Sequence, residues 1–172
     1  IVNTMVQMKG HDKAMDYFKA LDKNIVQYTK SGSGPSKLVP TGEIVIGIGF
    51  LHDVVYQIVD NGYDNLGMTA PASGTSYEIG ATAIFKGAKN VENAQKFIEF
   101  ALSPDCVNLA QENGSYQFLV IDNAKPVKAA VKAGLDKIKT INYDFEDAKY
   151  HTSQYVQDFF KVIASDDRVK TK

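Results

Sequence analysis

The sequence lacks most of the features that would assign a chain of this size to an enzyme or to a nucleic-acid-binding class. Cys106 is the only cysteine among 172 residues, which excludes an intramolecular disulfide and a cysteine metal cluster. The formal net charge of -1 provides no electrostatic reason to expect nucleic acid or an anionic membrane as a partner. No apolar run approaches the length that crosses a bilayer. The length and the ordinary apolar content instead predict one domain, or two small ones, with a real hydrophobic core.

Motifs that carry chemistry are also absent. Gly47 and Gly49 match part of a dinucleotide fingerprint, but GIGFLH lacks the third glycine of G-x-G-x-x-G, and no P-loop pattern occurs. The three histidines are far apart in sequence and show no i, i+4 pairing, so no zinc site is predicted. Cys106 lies within a helical apolar pattern and is better interpreted as a packing residue than as a nucleophile. We therefore predict a protein that is not an enzyme and that carries no metal or cofactor.

Apolar periodicity predicts helices and strands in alternation, which is typical of an α/β layer fold. Helices are predicted over residues 1–9, 11–21, 53–61, 91–102, 104–112 and 147–164, with short ones after Pro35 and over 126–133. Strands are predicted at 25–29, from Glu43, at 66–70 and at 77–86. The last helix has a wider apolar face than one surface requires, so we expect it to contact two surfaces or a partner.

The stretch from Glu43 to Asn61 joins an apolar strand to a helix through an adjacent His52-Asp53 pair. The corner where a buried strand meets a helix N-terminus is where α/β proteins present ligand-binding groups. One interpretation is structural: Asp53 caps the helix and His52 is a turn residue near its dipole. The other is functional, because a carboxylate accepts hydrogen bonds from ligand hydroxyls and an imidazole supplies a switchable donor. The two interpretations are compatible.

Two further polar residues are candidates. Glu78 lies near the start of the long predicted strand, where a buried carboxylate would need a partner, although an exposed position at the strand end is equally consistent with the pattern. Asn24 follows the second predicted helix and is most simply a helix terminator.

Two long segments carry a family resemblance. NIVQYTKSGSGPSKLVPTGEIVIGIGFLHD and GTSYEIGATAIFKGAKNVENAQKFIEFALSPD resemble the C-terminal half of a periplasmic solute-binding protein of an ABC importer, in the type 2 group commonly labelled iron-binding. The resemblance implies a periplasmic-binding-protein-like α/β lobe with a mixed sheet flanked by helices. It implies that 1–76 form part of the second lobe, and that 77–172 supply a return strand and C-terminal helices that would pack on a first lobe outside this chain. The implied location is the periplasm, or the outer face of a membrane through a lipid anchor, with the signal segment not in this chain.

The resemblance also implies a ligand class. Ferric binders of this group use an adjacent tyrosine pair, and no Tyr-Tyr step occurs here. The His-Asp step and the Glu of GTSYEIG instead resemble the members that bind hexose phosphates. The similarity assigns His52, Asp53 and Glu78 to sugar hydroxyls and Asn24 to a supporting contact. In the family the phosphate is held largely by a Ser/Thr-Gly loop that lies upstream of residue 1 here, at a helix N-terminus suited to anions.

The implied role is substrate capture and delivery to an ABC permease. Because half of the contacts would lie outside this chain, we expect the 172-residue chain to bind sugar phosphates weakly. Two alternatives stay open. One is a ferric, anion or phosphonate binder of the same family. The other is an oligomerising module without ligand binding, which would self-associate through its C-terminal helices.

Overall fold

The computed structural model describes residues 1–163 and 169–170. Within that part the helices are α1 (Val2–Lys9), α2 (His11–Asp22), α3 (Gly34–Leu38), α4 (Leu51–Val59), α5 (Val91–Ala101), α6 (Pro104–Val107), α7 (Leu109–Glu112), α8 (Lys128–Lys132) and α9 (Phe145–Val162), with a 3-10 turn at Leu135–Lys137. The strands are β1 (Tyr28–Thr29) and β2 (Val169–Lys170), which pair in parallel. None of these helices combines the length and the apolar character that a membrane span needs.

The chain divides into two compact units. Unit 1 contains Ile1–Gly47, Thr69–Tyr77 and the described residues from 138 onward, and unit 2 contains Ile48–Met68 and Glu78–Lys137. The chain passes from one unit to the other after residues 47, 68, 77 and 137, whereas the predicted division has a single boundary between residues 76 and 77. The assignment of 1–76 and 77–172 to two parts of a binding protein stays a prediction.

Unit 1 is held together by α1, α2 and α9. Gly10 adopts a positive φ of 82°, a conformation that glycine adopts without strain, and it separates α1 from α2. The predicted apolar stripe of α2 is buried: Ala14, Met15 and Phe18 form a core with Val6 of α1. Helix α9 packs against both α1 and α2, which agrees with the two contact surfaces predicted from its wide apolar face.

Most predicted strands are not formed. Within the described residues the paired strand structure consists of β1, β2 and a single bridge between Thr75 and Thr140. The segments from Glu43 and over 77–86 run outside any ladder, and Val45 and Phe85 are 91% and 90% exposed. A strand requires backbone hydrogen bonds to a neighbour as well as an apolar pattern, and these segments have no such neighbour in the described part of the chain. The prediction of a mixed sheet flanked by helices is therefore corrected to a helix-rich arrangement with little sheet.

Unit 2 is built around the packing of α4 on α8. Its buried side chains include Val55 of α4, Val127 and Ala130 beside or within α8, and Leu135 of the 3-10 turn. Ser103 caps α6 as predicted, with its hydroxyl accepting from the backbone N–H of Cys106. The predicted helix over 104–112 is divided into α6 and α7 at Asn108. Helix α5 forms as predicted, but none of its residues is buried.

The imidazole of His11 connects α2 to α9. Its Nδ1 lies 3.1 Å from Oδ1 of Asp12, and its Nε2 lies 3.1 Å from Oδ2 of Asp158. The hydrogen bond with Asp12 and the bond and charge of Asp158 raise the pKa of His11 above 6.5. Hydrogen bonds from Gln154 and Lys161 lower the pKa of Asp158 to about 2, so its carboxylate is ionised wherever His11 titrates.

The raised pKa of His11 predicts a pH-dependent contribution to stability. The contribution is fully present below the unfolded-state pKa of about 6.5 and is lost as the pH rises through the higher folded-state pKa. The free energy of unfolding of the wild type should therefore fall relative to that of His11→Gln between about pH 6 and pH 8. The change should be small because solvent screens this partly exposed pair. Urea unfolding of both proteins across this range measures it, and parallel pH profiles would contradict the assignment.

Candidate ligand-binding site

The predicted corner lies at the N-terminus of α4, in unit 2. The helix begins at Leu51, two residues before the predicted start, and Phe50 is its N-cap in an extended conformation. Asp53 is therefore in the first turn and is not the cap, so the structural interpretation of Asp53 as an N-cap was wrong. Its carboxylate still lies where the helix dipole favours negative charge.

His52 contacts three side chains. Its Nε2 lies 3.7 Å from Oδ1 of Asp53 and 3.3 Å from Nε2 of Gln117. The Phe50 ring is stacked on the imidazole, with ring centroids 5.4 Å apart and an interplanar angle of 18°. The side chains of His52 and Asp53 are 29% and 24% exposed, so both polar groups reach the surface while much of each is covered. A partly covered imidazole and carboxylate side by side can exchange hydrogen bonds with a polar ligand.

A segment far along the chain lies on the same face of α4. His52, Tyr56 and Asp60 follow at intervals of four residues, which places them on one side of the helix and its end. The hydroxyl of Tyr116 donates to Oδ2 of Asp60 at 2.6 Å, and Gln117 reaches His52. The bond to Asp60, with burial of the phenol, raises the pKa of Tyr116 to about 12.

Gly114 allows the same segment to approach α4 closely. Its φ is 79°, and a Cβ there would lie 3.0 Å from Cε2 of Tyr56. Residues 114–117 therefore run against the face of α4 defined by His52, Tyr56 and Asp60. We call them the 114–117 segment.

Sequence reasoning missed Tyr116 and Gln117. They are 56 and 65 residues away from their partners in the chain, so no local spacing or motif connects them to α4. The one available signal was GSYQ itself, a tyrosine and an amide directly after a glycine, and it is not specific to a site.

The structure brings together two of the four predicted residues. His52 and Asp53 are adjacent and in contact. Glu78 is exposed at the start of an extended stretch of unit 2, and Asn24 is exposed in the turn after α2, in unit 1. Among the described residues of unit 2, no hydrogen bond or ion pair joins Glu78 to His52 or Asp53. Their roles as ligand contacts stay predictions.

The chemistry around α4 is suited to binding. In the described part of the chain no three His, Cys, Asp or Glu side chains are grouped so that they could hold a metal ion. Cys106 is a half-buried free thiol in α6. The polar groups at the corner are a carboxylate acceptor, an imidazole and an amide, beside an aromatic ring. This set matches the recognition of hydroxyl groups.

Comparison with known proteins identifies the family. The family described as bacterial extracellular solute-binding protein matches residues 2–116, which is more than half of the chain. The chain belongs to the bacterial extracellular solute-binding proteins. The predicted resemblance to this class is confirmed, and the family consists of binding proteins, not enzymes.

Two individual proteins are similar to this solute-binding chain. An uncharacterized protein of Haemophilus influenzae is 40% identical over 143 residues, which are 83% of this chain and 40% of that protein. The periplasmic binding protein AfuA from Actinobacillus pleuropneumoniae, solved with exogenous fructose-6-phosphate bound, has a TM-score of 0.83 and 40% identity. That match covers 94% of this chain and 50% of the AfuA chain. The chain thus spans about half the length of the proteins it matches, or less.

Proposed function

We propose that the protein captures a sugar phosphate of the hexose phosphate class in the periplasm and delivers it to the permease of an ABC importer. The observation that carries the proposal is the contact between His52 and Asp53 at the start of α4. The similarity to AfuA, a periplasmic binding protein solved with fructose-6-phosphate, supports this ligand class. The mechanism is capture and release without a change to the ligand.

The proposed roles follow from the chemistry of each group. The carboxylate of Asp53 accepts hydrogen bonds from sugar hydroxyls, and such charge-assisted bonds are stronger than neutral ones. The ring of His52 donates to a ligand oxygen, and the Phe50 ring limits its orientation. Glu78 supplies a second carboxylate acceptor and Asn24 a supporting amide. These two assignments rest on the family resemblance.

The test compares Asp53→Asn with Asp64→Asn. The first change removes the charge at the corner, whereas Asp64 is an exposed aspartate of unit 2 whose side chain forms no hydrogen bond or ion pair in the described structure. Fructose 6-phosphate should shift the NMR signals around α4 in the wild type and in the Asp64 variant. The loss of charge-assisted bonds should weaken binding by Asp53→Asn roughly ten- to a hundredfold. Titration to millimolar ligand accommodates the weak binding predicted for this chain.

The same titration separates the alternatives. Free fructose, inorganic phosphate, a phosphonate and a ferric salt are added in parallel. A ferric complex with a tyrosinate charge-transfer band, or a response to the phosphonate alone, would replace the sugar phosphate proposal. Absence of any response, with sedimentation showing self-association, would favour the oligomerising module. Equal affinity of Asp53→Asn and the wild type would remove Asp53 from the site.

A further inference from the structure

The side-chain amide of Gln117 faces one ring nitrogen of His52. The amide nitrogen of Gln117 faces Nε2 of His52 at 3.3 Å, and an amide nitrogen can only donate. Nε2 must then accept, so in the neutral ring the proton is on Nδ1. Oδ1 of Asp53 lies 3.7 Å from the same Nε2, which is too far for a hydrogen bond that would hold a proton there.

The ring nitrogen left with the proton is available to a ligand. None of the residues from 1 to 163 forms a hydrogen bond with Nδ1 of His52. The imidazole therefore offers an N–H donor that the protein itself does not use. A neutral ring with a fixed donor suits a ligand oxygen, either a hydroxyl or an anionic oxygen.

The 114–117 segment explains why an exposed glutamine can hold this position. A free glutamine on the surface loses rotamer entropy when it is ordered, which opposes a single hydrogen bond. Here the neighbouring residue is anchored, because the buried Tyr116 donates to Asp60 at 2.6 Å. The absence of a side chain at Gly114 lets the backbone of this segment pass close to the Tyr56 ring, on the same face of α4. The hydrogen bond of Tyr116 thus holds the backbone from which Gln117 extends.

We propose that Gln117 is a positioning residue that selects the Nδ1–H tautomer of His52. The consequence for a bound sugar phosphate rests on the function proposed above. The tautomer itself does not, because it is a property of the ligand-free chain.

The first experiment measures the tautomer by long-range nitrogen NMR of the imidazole in the 172-residue chain. The signals of His52 are assigned by their loss in His52→Gln. The wild type should show Nε2 as the unprotonated nitrogen. In Gln117→Ala the tautomer equilibrium of His52 should shift toward the Nε2–H form that free histidine prefers. Gln117→Glu should favour that form further, since a carboxylate accepts from Nε2–H. The control is Gln95→Ala, an exposed glutamine of α5, which should leave the tautomer unchanged.

The second experiment measures the affinity of the same variants for fructose 6-phosphate. Loss of the fixed donor should weaken binding by roughly tenfold in both Gln117 variants and leave Gln95→Ala unaffected. If the wild type binds no sugar phosphate, the proposed function fails while the NMR result still decides the role of Gln117. The proposal is overturned if the wild type carries the proton on Nε2 of His52. It is also overturned if neither Gln117 variant changes the tautomer, even where the ligand binds.

Discussion

Phe18→Ala is expected to lower the free energy of unfolding of unit 1 by about 3–5 kcal/mol. The Phe18 side chain is 3% exposed, in the core that α2 shares with α1 and α9. Its ring meets that of Phe159 at 5.0 Å and 84°, an edge-to-face geometry. Alanine removes the buried ring and leaves a cavity that three helices surround. Since domains have total stabilities of about 5–15 kcal/mol, such a loss is a large part of the whole.

Phe160→Ala is the matched control for this change. Phe160 is the next residue after Phe159 on α9 but is 55% exposed, so the same deletion should cost under about 1 kcal/mol. Because the chain has no tryptophan, urea unfolding is followed by the circular dichroism of the helices. The two units can unfold in separate steps, and the step that moves in Phe18→Ala is assigned to unit 1. Equal losses in the two variants would show that Phe18 is not the centre of this core.

Tyr116→Ala should destabilise unit 2 by about 3–5 kcal/mol, because it deletes a buried ring and a hydrogen bond together. The side chain is 6% exposed, and its hydroxyl donates to Asp60 at the end of α4. Tyr116→Phe retains the ring and should lower the free energy of unfolding by about 1–2 kcal/mol, because it loses only the hydrogen bond of the hydroxyl. Tyr63→Phe is the control, since the Tyr63 hydroxyl forms no hydrogen bond in the described part of unit 2.

The raised pKa of Tyr116 adds a pH test to this series. The neutral phenol contributes stability that is fully present below the unfolded-state pKa of about 10. The contribution is lost as the pH rises through the folded-state pKa of about 12. Tyr116→Phe lacks this contribution. The difference in the free energy of unfolding between wild type and variant should therefore narrow between about pH 10 and about pH 12. A constant difference would mean that the hydroxyl does not donate to Asp60.

The two substitutions differ in their expected effect on the proposed site in unit 2. Tyr116 anchors the segment from which Gln117 reaches His52. Its removal should therefore also shift the His52 ring from the Nδ1–H toward the Nε2–H tautomer. Phe18 lies in the other unit and should change stability without changing the tautomer. Comparison of the two variants by NMR therefore separates a general loss of folding from a local loss of positioning.

The helices could be predicted from the sequence because their signals are local. Gly10 ends α1, Ser103 and Pro104 begin α6, and the spacing of Ala14 and Phe18 marks the buried face of α2. These features depend on residues within one or two turns of each other. The family could also be predicted, since its characteristic segments are continuous in sequence and lie within the matched residues 2–116.

The strands could not be predicted in the same way. The segments from Glu43 and over 77–86 have the apolar composition of strands, but a strand exists only where a second backbone supplies hydrogen bonds. Of the predicted strands, only the one over 25–29 pairs with another strand in the described residues, through Tyr28–Thr29 and Val169–Lys170. The start of α4 was missed by two residues because the sequence around Phe50 carries no side-chain cap.

The corner at His52 and Asp53 also combines a feature that the sequence predicts with contacts that it does not predict. The sequence by itself determined that an imidazole and a carboxylate stand side by side at the start of an apolar helix, because His52 and Asp53 are neighbours in the chain. Only the tertiary structure decided that Phe50 stacks on the imidazole and that Gln117 faces its Nε2. It also decided that Tyr116 secures the segment that carries Gln117. The contacts of Tyr116 with Asp60 and of Gln117 with His52 join residues 56 and 65 positions apart. They depend on how the backbone packs around α4, which no local pattern encodes.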